Sequence, residues 1–232
     1  NLVSRLDRSG TNDQLEEFDY DTMNRLTGVN FMAPAQSITA PVQTMTLDYD
    51  AAGNIRYKSD VGAYHYGQEG AGPHAVTRAG GHDYRYDTNG NQVSGRGRTI
   101  EYSLFDKPLL IAKGAQSVEF EYGIAHERVS RRDANDADGV KITRYIGSVE
   151  YVDDGRQTWF KRHVAGVSEV LFYPATAQNT TGYIVRDHLG SPHNYTNEEG
   201  LAGDAVYLSF GAFGQRRAPD WSRPLDSLES TA

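Results

Sequence analysis

Apolar and polar residues alternate with period two along most of the chain. Val118-Glu119-Phe120-Glu121-Tyr122 sets three apolar side chains on one face of a strand and two carboxylates on the other. Thr46–Tyr49, His82–Tyr86 and Lys141–Ile146 read the same way. Turn signals punctuate these runs: Gly53-Asn54, Asn89-Gly90-Asn91, Asp138-Gly139, Asp154-Gly155 and Gly190-Ser191-Pro192. Asn-Gly and Asp-Gly favour tight hairpins because they tolerate positive φ. The pattern predicts an all-β chain of roughly 18 to 20 strands in a continuous antiparallel meander. A helical signal is confined to Asp13–Phe18, with an N-cap candidate and two Glu, and Phe18-Asp19-Tyr20-Asp21 restores alternation at once. Residues 1–217 read as one repetitive segment. Residues 218–232 lose the periodicity, hold Pro224 and a Ser-rich end, and read as a tail or truncated connection.

A repeat underlies the alternation. Tyr20-Asp21-Thr22-Met23-Asn24-Arg25-Leu26, Tyr49-Asp50-Ala51-Ala52-Gly53-Asn54-Ile55 and Tyr86-Asp87-Thr88-Asn89-Gly90-Asn91-Gln92 share a Tyr-Asp pair followed by a turn, with the tyrosines 29 and 37 residues apart. Tyr102–Pro108 and Tyr122–Arg128 read as degenerate copies. In such a unit the Tyr ends a strand with its ring packed inward. The Asp bonds backbone amides of the turn, and Gly or Asn supplies positive φ. One unit cannot bury its own face, so copies must stack.

Composition narrows the chemistry. The 232 residues carry a net charge of −8, against nucleic-acid binding, which needs a basic surface to displace phosphate counterions. At 38% apolar residues the chain has no run long enough to span a membrane. There is no Cys, which removes disulfides, thiolate metal sites and Cys nucleophiles. Asn1–Gly10 carries Arg5, Asp7 and Arg8 where a signal peptide would be apolar. The first residue is not Met, so the chain is expected to be part of something longer. Fifteen Tyr and 24 Gly with only 8 Pro fit many short strands and turns.

The ordered motifs resemble the YD-repeat region of the RHS family. Asn1–Gly10 and Phe18–Thr27 resemble two halves of one unit. Gly72-Pro73-His74-Ala75-Val76-Thr77 with Tyr84-Arg85-Tyr86-Asp87 resembles the approach to the RHS-associated core. Arg186-Asp187-His188-Leu189-Gly190-Ser191-Pro192 is similar to the family's DHLGS motif, and Ser209–Gly214 to the segment after it. The resemblance spans most of residues 1–217. It implies a β-sheet that spirals into part of a hollow shell enclosing a C-terminal toxin or effector polypeptide. It also implies a secreted or cell-surface setting within a larger bacterial protein, and a secretion-apparatus or shell partner. Members with a toxic tail carry an autoproteolytic core with an Asp-Pro-Gly-type signature. No Asp-Pro dipeptide occurs in this sequence, so the expected function is enclosure without catalysis and without a cofactor.

Residues suited to other chemistries have plainer structural readings. Asp187, His188, Ser191 and His193 supply hydrolase-like residue types, but a turn in which Asp187 and Ser191 bond amides and Gly190 reverses the chain accounts for them without a Gly-x-Ser-x-Gly elbow. His188 and His193 are two metal ligands where zinc needs three or four. His65 and His74 read as packed beside Tyr rings or bonded to backbone carbonyls. The acidic loop Asp133–Gly139 fails the EF-hand spacing, with Ala137 at position 5 and Arg144 at position 12, and reads as a solvated hairpin tip. Arg128, Arg131 and Arg132, and Arg216 with Arg217, read as ion-pair partners. Gly95-Arg96-Gly97-Arg98 lacks the context of a phosphate loop. Trp159 reads as core and Trp221 as an exposed aromatic. The rival functional class is an extracellular carbohydrate- or cell-surface-binding YD-repeat module, since Tyr faces suit sugar stacking. Open strand edges further imply edge-mediated self-association.

Overall fold

A computed structural model describes residues 1–7, 14–32, 43–135, 137, 139–198 and 206–218. The chain divides into two compact units, Asn1–Tyr84 with the segment from Ser209, and Arg85–Leu208. Both are antiparallel β.

The first unit begins as a meander: β1 (Ser4–Asp7), β2 (Gln14–Tyr20), β3 (Leu26–Met32), β4 (Gln43–Tyr49), β5 (Ile55–Lys58), β6 (Gly62–Tyr66), β7 (Val76–Ala79) and β8 (His82–Tyr86), each paired with the next. The segment read as having a faint helical signal is strand β2. Its alternation buries Glu16 and Phe18 and exposes Glu17 and Asp19. Between β6 and β7 lies a single 3-10 turn, Gln68–Gly70. The apolar core here is Phe18, Val29, Phe31, Leu47 and Ala79.

The second unit continues the pattern with β9 (Gln92–Gly95), β10 (Arg98–Tyr102), β11 (Pro108–Lys113), β12 (Gln116–Tyr122), β13 (Arg128–Asn135), β14 (Gly139–Ile146), β15 (Val149–Asp153), β16 (Thr158–Val164), β17 (Ser168–Tyr173), β18 (Gln178–Arg186), β19 (Pro192–Thr196) and β20 (Val206–Tyr207). Every neighbouring pair is antiparallel. Its buried apolar residues among those described are Val152 and Ile184. In β14 the alternation holds, but its apolar residues are not the buried ones. Thr143, opposite Val152, is buried, while Ile146 is 62% exposed. The cause is position: Thr143 lies mid-sheet in a row with Val152 and Trp159, whereas Ile146 ends its strand beside a two-residue turn.

The hairpin β21 (Ser209–Phe210) and β22 (Arg216–Arg217) belongs to the first unit. Among the described residues the 22 strands exceed the number expected from the sequence because β20, β21 and β22 are only two residues long. Among the described residues no helix is long and apolar enough to cross a membrane. β1 has β2 as its ladder partner and β20 has β19.

Candidate functional site

One hairpin loop recurs. At 21–25, 50–54, 87–91, 103–107, 123–127, 187–191 and 211–215 the first residue's N–H donates to the fifth residue's carbonyl, and the fourth residue's N–H donates to the first residue's carbonyl, at 2.8–3.1 Å. The fourth residue has positive φ in all seven: Asn24, Gly53, Gly90, Asp106, His126, Gly190 and Gly214. This is the three-residue hairpin loop, a turn closed by a left-handed residue, and that residue forces the register shift seen just before most of these loops.

The first side chain completes the loop. Asp21 Oδ1 accepts from the N–H groups of Met23 and Arg25, both at 2.9 Å, and Asp21 Oδ2 accepts from Arg25 Nε at 2.7 Å. Asp50 accepts from the Asn54 N–H at 2.9 Å and from its side-chain amide at 3.0 Å. Asp87 accepts from the N–H groups of Asn89 and Asn91 and from the side-chain amide of Asn91. The backbone N–H of Arg25 holds the Asp21 carboxyl below the usual carboxylate range, and that of Asn54 does so for Asp50. At Asp87 partial loss of solvent pushes upward and is outweighed by the bonds from Asn91, so it too is lowered. The degenerate copies reach the same end differently. Ser103 Oγ takes the Asp role at 103–107. At 123–127 the Glu127 carboxylate occupies the space where a Gly123 side chain would start and accepts from the Ala125 N–H at 3.0 Å.

Tyrosines at strand ends tie several of these hairpins to the one before. Tyr49 Oη donates to the Leu26 carbonyl at 2.7 Å, Tyr66 Oη to Ile55 at 2.8 Å, Tyr102 Oη to Gln92 at 3.1 Å and Tyr122 Oη to Pro108 at 2.8 Å. In the Tyr49, Tyr66, Tyr102 and Tyr122 pins, the acceptor follows the last residue of the preceding turn or loop. Tyr20 Oη reaches the Leu2 carbonyl at 2.8 Å. Burial raises the Tyr49 and Tyr102 hydroxyls above their ordinary value, so they remain protonated donors. Tyr86 is half-buried at the end of β8.

Residues 187–191 form another copy of this loop, with Arg186 where the others have an aromatic residue. Asp187 Oδ1 accepts from the Leu189 and Ser191 N–H groups, both at 2.9 Å, and Arg186 Nη1 donates to the Gly190 carbonyl at 2.9 Å. His188 and Leu189 point outward and Gly190 closes the turn at φ 84°. The Asp187 carboxylate therefore holds amides rather than orienting a histidine. Among the described residues there is no group of three His, Asp or Glu side chains able to hold a metal ion.

The other candidates are placed as follows. His74 Nδ1 lies 2.6 Å from Asn54 Oδ1, a side-chain partner rather than the expected ring or carbonyl, and His65 is exposed. Arg131 pairs with Asp133, Arg132 Nη1 lies 2.7 Å from Glu119, and Arg128 lies over the Phe120 ring at 4.6 Å. In the acidic loop Asn135 Oδ1 accepts from the Ala137 N–H at 2.8 Å, while Asp136 and Asp138 lie outside the described residues, as does Trp221. Trp159 is half-buried, its ring 6.4 Å from that of Tyr173.

One cluster has no precedent in the sequence pattern. Glu16, 2% exposed, receives Arg5, and Arg217 Nη1 at 2.5 Å and Nη2 at 3.0 Å. Arg5 also donates to the Phe210 carbonyl at 3.0 Å, and Arg217 Nε to Ser209 Oγ at 2.9 Å. Lys58, bonded to Asp60 at 2.6 Å, lies 5.2 Å from the Phe213 ring centre. Burial pushes the Glu16 carboxyl up; the hydrogen bond and charge of Arg217, then those of Arg5, outweigh it and hold it below the ordinary value. The two hairpins β1–β2 and β21–β22, 201 residues apart, are thus joined by a charge-assisted clamp. The sequence read Arg216 with Arg217 as ion-pair partners; the structure identifies Glu16 as the partner of Arg217.

No family model matches the chain, and no curated protein matches it. Among solved structures, the crystal structure of TcdB2-TccC3-TEV is similar at 13% identity with a TM-score of 0.43, over 88% of this chain. The chain spans 15% of the length of that one. At that similarity, function has to be argued from the chain's own residues.

Proposed function

We propose that this chain is a stretch of β-wall in an RHS toxin-type protein, and that the wall encloses a C-terminal effector polypeptide of the same parent without catalysing a reaction. The observation that carries the reading is the stitched repeat: one hairpin loop used seven times among the described residues, with tyrosine hydroxyls tying hairpins to their predecessors. Such stitching lets a sheet grow hairpin by hairpin with little core of its own, which suits a wall whose extent is set by copy number. The Asp187 carboxylate, which a hydrolase reading would need to orient a histidine, accepts turn amides instead. The mechanism is steric: a closed strand wall separates an unfolded or inactive polypeptide from proteases and from the cytosol, and closure also removes strand edges that template aggregation. A secreted or cell-surface setting, and a secretion-apparatus or further shell partner, go with this reading.

The test uses the uncut parent protein, followed by mass spectrometry and limited proteolysis. A C-terminal piece that is severed, co-elutes with the wall and resists protease until the wall is denatured supports enclosure. A C-terminal region digested at the rate of the denatured control overturns it. The rival glycan-binding module is weakened by the pins, since Tyr20, Tyr49 and Tyr122 spend their hydroxyls on backbone carbonyls.

A further inference from the structure

We infer that one rim of the unit Arg85–Leu208 docks a second copy of this chain, the two rims meeting about a two-fold axis. In an antiparallel meander alternate turns fall on opposite edges of the sheet. The turns after β10, β12, β14, β16 and β18 therefore share one rim, and those after β9, β11, β13, β15 and β17 share the other.

The rims differ in chemistry. The first carries Leu104, Ile124, Leu189, Ile146 and Val167 at 105, 103, 74, 62 and 59% exposure, with Phe105 at 37%. The turns of the second hold Arg96, Asp154, Arg156, Gln157 and Thr176 beside glycine, alanine and proline. Side chains this exposed gain nothing for the fold of the unit that bears them. Phe105 is fixed in place, its ring stacked on His126 at 4.1 Å and edge-on to Tyr122 at 5.7 Å, so part of the rim is pre-ordered.

Three arguments name the occupant. Strands lie about 4.8 Å apart, so turns on one rim recur about every 10 Å, and a second copy offers apolar tips at the same step by construction. At their exposures the six side chains present on the order of 800 Å² per copy, one partner's share of a standard interface. A two-fold axis uses each rim once and closes the assembly, where a head-to-tail contact would propagate.

The experiment is sedimentation velocity of the 232-residue chain from about 1 to 100 µM, at low and high salt. The expected result is a monomer–dimer equilibrium that tightens with salt. The triple variant Leu104→Asp, Ile124→Asp, Leu189→Asp should weaken it more than about a hundredfold with an unchanged circular-dichroism spectrum, because the three side chains support no core. Leu6→Lys, on the terminal strand β1, should leave it unchanged. A wild-type monomer throughout the range overturns the proposal. So does a triple variant that still dimerises, or a dimer lost on Leu6→Lys, which would place association at a strand edge. None of these outcomes bears on enclosure, which is read on the parent protein by protease protection.

Discussion

Among the described residues, the unit containing residues 1–84 buries five apolar residues and a carboxylate, Glu16, held by Arg5 and Arg217. The unit of residues 85–208 has more strands, yet its buried apolar residues among those described are Val152 and Ile184, and a row of large apolar side chains faces solvent at its turns. The loop and the tyrosine pin are the same in both. The repeat therefore does not depend on a core. Local hydrogen bonds and strand ladders shape the hairpins, and burial is added where other segments return to cover them, as the hairpin from Ser209 does in the first unit.

The sharpest way to break this comparison is to remove the buried charge. Glu16→Gln leaves two guanidinium groups without a counter-charge and should destabilise β1–β2 and β21–β22 by about 3–5 kcal/mol. Glu150→Gln, which removes the partly exposed partner of His163 in the second unit, should cost no more than about 1 kcal/mol. Hydrogen exchange followed by mass spectrometry over 14–20 and 209–217, against 149–164, reads both; equal costs would end the distinction.

Acid should separate the units next. The folded-state carboxyl of Glu16 titrates below its unfolded value, so its contribution is fully present above an unfolded pKa of about 4.3 and is lost as pH falls through the lower folded value. The carboxyls of Asp21, Asp50, Asp87 and Asp154 are also lowered, so turns in both units weaken in acid. The expected contrast is earlier loss of exchange protection at 209–217 than in β13–β15 as pH falls from 5 towards 3. Glu16→Gln should remove that difference; if it persists, the clamp is not its cause.

Smaller changes probe what the units share. Tyr49→Phe and Tyr122→Phe each delete one pin and should cost about 1 kcal/mol in either unit. A neutral Tyr122→Phe beside a costly Tyr49→Phe, measured by urea denaturation, would mean that the pin needs the core after all. Gly53→Ala and Gly190→Ala place a side chain at φ 87° and 84° and should each cost about 1 kcal/mol. The smallest effect is a gain: Ala165→Gly relieves a positive φ of 49° in the β16–β17 turn and should add about half a kcal/mol to thermal stability.

The strands were legible because alternation is a property of five to seven neighbouring residues, and β2 shows it overruling a weak helical signal. Turn chemistry is equally local. Where a side-chain oxygen closes a loop it lies within five residues of the amides it binds, whether it comes from Asp50, Ser103 or Glu127. The kinship of residues 187–191 with the Tyr-Asp loops was harder to see, because Arg186 replaces the tyrosine and removes the more visible half of the motif. In β14 the pattern gave two faces but not which was covered, since coverage of Thr143 depends on Val152 and Trp159 in the strands beyond.

From the sequence alone followed an all-β meander, its turn positions, and the exclusion of disulfide and thiolate chemistry. All are short-range, fixed by side-chain alternation, by residues able to take positive φ, and by which atoms are present. Only the tertiary structure decided that Glu16 is buried, that Arg5 and Arg217 converge on it, and that apolar tips collect on one rim of the second unit. Those features depend on which segments meet in space. An ion pair across 201 residues, or an edge shared by every second turn, is set by topology and leaves no periodic trace in the chain.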